Sequence, residues 1–236
     1  MNRVHGFPIV FTLSLLAASF VTATAQDKKE DAQPKSAAAA PRVWLAIESG
    51  GESWGKIVIE LNEEKAPITV KNFLRYVDEG FYDGLIFHRV MPNFMIQGGG
   101  FTPEFEEKSK GRHEPIQNEA KNGLKNARGT IAMARTGNPH SATCQFFINV
   151  VDNASLDDPG TGRWGYCVFG KVVEGMDVVD RIRRVPTRRN SKIGGQPAPL
   201  ETVLIKKAAR VNAEAGEKGD DKKSQKKEDA GGGKSG

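Results

Sequence analysis

Apolar residues along the chain follow two rhythms. Val43, Leu45 and Ile47 alternate with other residues, as do Ile57, Ile59 and Leu61, and the intervening SGGESWG supplies turn glycines, so this stretch predicts a β-hairpin. The rhythm then changes. Val70, Phe73, Leu74 and Val77 recur at helical spacing, Pro67 stands where a first helical turn tolerates it, and Gly80 is placed to end the helix. Further strands are predicted at 85–90, 94–98, 129–134, 145–151 and 166–173, a short helix at 176–184 and a last strand at 200–206. The stretch 100–128 is rich in Gly, Asn, Lys and Glu and reads as a long loop, a kind of segment that often carries function. Strands dominate without regular βαβ alternation, so pattern alone gives a closed antiparallel barrel or a sandwich with two covering helices.

Both ends break these rhythms. Arg3 and His5 precede an apolar run from Phe7 to Val21, and Ala23-Thr24-Ala25 follows, the order of a signal peptide over 1–25 cleaved before Gln26. The alternative is an uncleaved anchor, but the run falls short of the ~20 apolar residues that a spanning helix needs. No stable membrane insertion is expected after cleavage, and the mature protein is expected to be exported, periplasmic or secreted. Residues 26–41 (QDKKEDAQPKSAAAAP) read as a flexible linker and 213–236 as a disordered charged tail, which leaves 42–212 as the folded domain.

Composition adds little to that outline. The formal net charge is +5, but Lys222, Lys223, Lys226 and Lys227 lie among acids in the tail, so no nucleic acid partner is implied. Cys144 and Cys167 are too few for a disulfide framework; they are read as buried thiols, with a single bridge as the alternative. The soluble, loop-rich composition favours a monomer.

The segment FHRVMPNFMIQGGG (87–100) sets an arginine between apolar strand residues, followed by Pro, an aromatic, Met, Gln and three glycines. The glycines suggest phosphate binding only weakly, because no helix start or GK[ST] follows. This segment and GTIAMARTGNPHSATCQFFINVVDN (129–153) resemble the two signatures of the cyclophilin-type peptidyl-prolyl cis-trans isomerases. APITVKNFLRYVDEGFYDGLIFHRV and WGYCVFGKVVEGMDVVDRI resemble the family as well, in the same order, over nearly all of 42–212. The likeness is greatest to its compact bacterial members. It implies a mainly β fold, a closed eight-stranded antiparallel barrel capped by two helices with its site in a groove on the outer face. It also implies catalysis of X–Pro rotation in polypeptides without cofactor or metal.

By the same resemblance Arg89 matches the catalytic arginine and Gln97 the glutamine that orients it. Phe94, Met95, Phe147 and Leu156 match the apolar wall around the proline ring. Ala134 and Arg135 match the strand that pairs with substrate backbone, and Gln145 lies on its neighbour. Strand alternation sends Phe146 away from Phe147, and His88 away from Arg89 into the interior. Three positions depart from common members: Ser155 stands for a tryptophan that helps bind cyclosporin, Tyr166 for a histidine and Arg135 for an asparagine. The first implies weak cyclosporin binding; the other two lie at the pocket rim and bear on substrate preference. Two further readings compete. His140 and Cys144 suggest a thiol hydrolase that lacks an evident orienting acid, and the same fold could serve as a non-catalytic module for proline-containing segments.

Overall fold

The computed structural model describes residues 39–211. The expected signal peptide and charged tail, and all but the last residues of the expected linker, lie outside them. The first hairpin pairs β1 (Arg42–Ser49) with β2 (Glu52–Leu61) across Gly50 and Gly51. Both glycines have positive φ, 60° and 79°, the geometry of the tight hairpin turn that right-twisted strands require. Helix α1 (Pro67–Asp78) follows, with Pro67 in its first turn and Val70, Phe73, Leu74 and Val77 buried.

Its amino terminus has no capping side chain of its own, since Ala66 holds the cap position. Glu119, from the long loop, fills that role. Its carboxylate accepts from the amides of Ile68 (3.1 Å) and Thr69 (2.8 Å) and from the Thr69 hydroxyl (2.7 Å). The first amides of a helix lack partners within it, and a carboxylate there also meets the positive end of the helix dipole.

The remaining strands are β3 (Leu85–Ile86), β4 (Arg89–Val90), β5 (Met95–Gly98), β6 (Thr130–Met133), β7 (Phe146–Asn149) and β8 (Val168–Glu174). Helix α2 (Met176–Arg183), a two-stranded ribbon of β9 (Thr187–Asn190) and β10 (Gln196–Pro199), and β11 (Val203–Arg210) complete the chain. One curled sheet runs in the order β3-β11-β1-β2-β8-β6-β7-β5-β4, every adjacent pair antiparallel. Its end segments, β3 and β4, are separated only by Phe87 and His88, so the chain itself bridges the seam. Counting β3 and β4 as one bent strand gives the eight strands expected.

Two expectations need correction, and one element had not been expected. The strand expected over 85–90 is not continuous, because Leu85 and Ile86 pair with β11 while Arg89 and Val90 pair with β5. Leu85, Ile86, Phe87 and His88 are all buried, and the chain bends at Phe87–His88 between the two pairings. The last strand begins at Val203 and runs to Arg210, longer than 200–206 and shifted along the chain. The β9–β10 ribbon had no counterpart in the pattern, since Thr-Arg-Arg-Asn and Gln-Pro-Ala-Pro carry no apolar alternation.

Inside the barrel, Leu45, Ile57, Ile59, Ile131, Ile148 and Phe169 share one hydrophobic core with Phe73 and Tyr76 of α1. The Phe73 ring lies 5.3 Å from Tyr82, 5.6 Å from Phe146 and 5.2 Å from Phe169. Phe146 thus belongs to the interior, as alternation required.

Candidate active site

Register across four ladders lines up the outer face. Arg89 of β4 stands opposite Gln97 of β5, Gln97 opposite Phe147 of β7, Phe147 opposite Ala132 of β6, and Ala132 opposite Val168 of β8. Directly opposed residues point to the same face, so this row forms one surface. The adjacent row of Val90, Ile96, Ile148 and Ile131 points into the barrel and is fully buried. One residue of slip would exchange the two rows.

On the outer face Met95, Ala132, Phe147 and Val168 form an apolar cluster separate from the barrel core, with Met91, Phe94, Leu124, Ala134, Leu156 and Tyr166 packed against it. Six residues singled out in the sequence therefore meet here: Phe94, Met95, Ala134, Phe147, Leu156 and Tyr166. The Tyr166 ring stands edge-on to Phe147 at 5.7 Å. Met91, Leu124, Ala132 and Val168 escaped sequence reasoning. Strand alternation would have signalled Ala132, two residues from Ala134, and Val168, two from Tyr166.

Arg89 borders this cluster. One guanidinium nitrogen donates to Gln97 Oε1 at 3.3 Å, the other to the Met91 sulfur at 3.2 Å, and Nε, although buried, has no partner. No carboxylate pairs with it among the described residues. Burial lowers its pKa, yet an arginine stays cationic. The site therefore holds a half-buried cation with donors to spare. Gln97 is held in turn, its Nε2 donating to Gln145 Oε1 at 2.9 Å. Gln145 is thus a second support for the arginine.

A chain of buried amides positions the walls. Asp157 accepts from the Asn126 backbone and side chain, and Asn149 donates to Asn126 Oδ1 at 3.2 Å. Asn153 donates to Asn149 Oδ1 at 2.7 Å and to the Phe94 carbonyl at 2.8 Å. The loop bearing Leu156 and the turn bearing Phe94 are thereby tied to one strand. Nothing in the sequence pattern marked these asparagines; three buried polar side chains in mutual contact are visible only in the fold.

Beyond Gln97 and Gln145 the face opens into a groove of about 600 Å³, walled by Ala134, Arg135 and Thr143 on the barrel side and by Glu107, Arg112 and His113 of the long loop. Arg135 lies over the Tyr166 ring at 4.5 Å and donates to the carbonyls of Gly165, Thr136 and Trp164. Ser155 is exposed beside Leu156.

The neighbouring titratable groups supply no rival chemistry. His88 lies in the interior with its ring 4.5 Å from Phe101, and burial, aided by the Arg89 charge, holds its pKa down to about 3. Cys144 and Cys167 are both free and buried, and burial pushes the Cys167 thiol up to about 11. His140 Nδ1 accepts from the Asn118 amide, and the Cys144 thiol, raised by burial, has only Thr143 as a side-chain partner among the described residues, so the two form no nucleophile–base pair. Among the described residues no group of three His, Cys, Asp or Glu side chains converges as metal ligands would.

A curled barrel carrying an unpaired arginine beside an apolar outer pocket defines a class. Residues 45–210 match the family model of cyclophilin type peptidyl-prolyl cis-trans isomerase/CLD. The chain belongs to that family, and its enzyme class is peptidyl-prolyl cis-trans isomerase. It is 60% identical over 153 residues to peptidyl-prolyl cis-trans isomerase B of Escherichia coli strain K12, covering 64% of this chain and 91% of that one. It is 58% identical over 158 residues to a peptidyl-prolyl cis-trans isomerase of Streptomyces antibioticus, covering 66% and 93%. A peptidyl-prolyl cis-trans isomerase of Acinetobacter baylyi is 57% identical over 155 residues, covering 64% and 81%.

Proposed function

We propose that this isomerase acts on exported polypeptides, as a monomer, turning over X–Pro bonds during their folding. Export is supported by the sequence of residues 1–25, with its cationic start, apolar run and Ala-Thr-Ala ending. Among the described residues no helix is long and apolar enough to cross a membrane.

The reaction makes and breaks no covalent bond. Rotation about X–Pro is slow because amide conjugation sets a barrier of ~18–20 kcal/mol. Twisting the bond returns the lone pair to the prolyl nitrogen, and a donor aimed at it favours the twisted state over both planar ones. Arg89 is assigned that role. Gln97 and Gln145 hold it in place, and Phe94, Met95, Phe147 and Leu156 grip the proline ring without offering competing polar atoms. Ala134 and Arg135 continue β6 past the end of its ladder and are assigned the substrate backbone, with Tyr166 closing the rim.

One observation carries this reading: among the described residues the Arg89 guanidinium has no acid partner and leaves Nε unfilled beside the apolar cluster. The test is cis-to-trans relaxation of a short Ala-Pro peptide, wild type beside Arg89→Ala. Wild-type acceleration that drops by roughly a hundredfold or more in a folded variant is the expected result, the scale of losing one preorganised donor. Tight peptide binding without acceleration by the wild type would instead indicate a proline-segment binding module.

A further inference from the structure

Residues 181–200 carry Arg181, Arg183, Arg184, Arg188, Arg189 and Lys192 and not one acid. They form the end of α2 and the β9–β10 ribbon. Half of these cations are occupied. Arg181 stacks on Trp54 at 3.9 Å, Arg183 pairs with Asp180 at 2.9 Å, and Lys192 donates to the Glu104 carbonyl at 2.7 Å. Arg184, Arg188 and Arg189 are exposed and have no ion-pair or hydrogen-bond partner among the described residues.

This surface adjoins the catalytic face. Arg183 Nη1 donates to the Pro92 carbonyl at 3.1 Å, in the turn between Met91 and Phe94, both of which pack on the proline pocket. β10 packs beside β4, the strand that carries Arg89, and α2 packs beside β5. We propose that the end of α2 and the ribbon form a docking surface for acidic stretches of the polypeptides whose X–Pro bonds the neighbouring site turns over. The inference rests on the isomerase reading of that site.

Three features favour a polypeptide. The four-residue strand β9 is ~13 Å long, the span of an equally short extended segment. Arg188 and Arg189 are adjacent in a strand and both exposed, so they project to opposite sides of β9, which suits a chain wrapping that strand better than a flat bilayer. The guanidinium fork matches carboxylates two bonds at a time. Acidic flanks would thus be concentrated beside Arg89, raising kcat/KM mainly through KM.

The test compares peptides sharing one Ala-Pro centre, flanked before or after it by a run of glutamates or of glutamines. At about 0.05 M salt the wild type should favour at least one glutamate peptide roughly tenfold, and that preference should vanish near 1 M salt, where charges are screened beyond ~3 Å. The variant Arg184→Gln/Arg188→Gln/Arg189→Gln should lose the preference while turning over the glutamine peptide at the wild-type rate. Single Arg188→Gln and Arg189→Gln variants, each with a partial loss, serve if the triple variant does not fold. No preference in wild type, or one that survives in the triple variant, overturns the proposal. So does an absent preference combined with ribbon-dependent co-sedimentation on anionic phospholipid vesicles, which would assign the surface to a membrane. If wild type turns over neither peptide, the isomerase reading has failed instead. Fluorescence anisotropy of the labelled glutamate peptides then decides the docking surface separately: salt-sensitive binding lost in the triple variant supports it, and no binding overturns it.

Discussion

At the scale of single residues, Arg89 and His88 show how one step along the backbone separates two chemistries. Arg89 is half-buried and faces outward with donors unfilled, whereas His88 is sealed inside with its Nδ1 unpartnered. The buried imidazole takes up a proton only near pH 3, against an ordinary value of 6.5. As pH falls below 6.5 the unfolded chain protonates at this position before the folded one does. Stability from this group is therefore complete above pH 6.5 and is lost progressively toward pH 3. His88→Phe should flatten that dependence: in urea titrations at pH 7 and pH 4.5, the wild type should lose on the order of 2 kcal/mol more than the variant. Equal losses in both would mean that the ring is not sealed. Cys167 titrates in the opposite sense, the folded thiol holding its proton to about 11 against an ordinary 9.0. Stability from that group is complete below pH 9 and falls away as pH rises above it, and the native thiol should resist alkylation at pH 8 until the protein is unfolded.

At the scale of elements, contacts between remote segments decide how well the site is held. Helix α1 presents Phe73 to the barrel, but its amino terminus depends on Glu119, 50 residues further along the chain. Glu119→Ala should cost roughly 1–2 kcal/mol of stability by thermal denaturation, the range for losing a helix cap, while leaving KM for a short peptide unchanged. Asn153 works on the pocket itself, since its amide holds the Phe94 carbonyl to β7. Asn153→Ala should raise KM several-fold with a smaller change in kcat, because the wall loosens while Arg89, Gln97 and Gln145 stay in place. An unchanged KM would show that the turn keeps its shape without the amide. Both elements were legible in part: the helix from its apolar period and Pro67, and the Phe94 segment from its motif. Their fastenings were not, because a capping acid or a bridging amide has no sequence signature when it comes from a distant loop.

For the molecule as a whole, the curled barrel and the candidate site both lie within the described residues, 39–211. A protein trimmed to 42–212 should fold on its own and turn over short Ala-Pro peptides at the full-length rate. Protease sensitivity throughout the trimmed protein, or a large loss of turnover, would mean that the flanking segments contribute to the fold or the site. Cyclosporin should inhibit weakly, because exposed Ser155 offers the drug no aromatic ring beside Leu156. Inhibition at low nanomolar concentration, on the order of −12 kcal/mol, would contradict that expectation.

The sequence by itself determined whatever depends on near neighbours. The alternation of Val43, Leu45 and Ile47, the helical spacing of Val70, Phe73 and Val77, and the opposite facing of Phe146 and Phe147 follow from local backbone geometry. The resemblance of residues 87–100 and 129–153 added the identities at the site. Tertiary structure alone decided which strand meets which, and therefore that Arg89, Gln97, Phe147, Ala132 and Val168 share one row. It also decided the break at Phe87–His88, the asparagine chain behind Phe94, and the placing of an arginine-rich ribbon against β4. Those arrangements join positions as far apart as Pro92 and Arg183, 91 residues along the chain. Local periodicity records which side of an element is apolar; the partner that covers it is chosen only when the whole barrel packs and most buried polar groups find a mate.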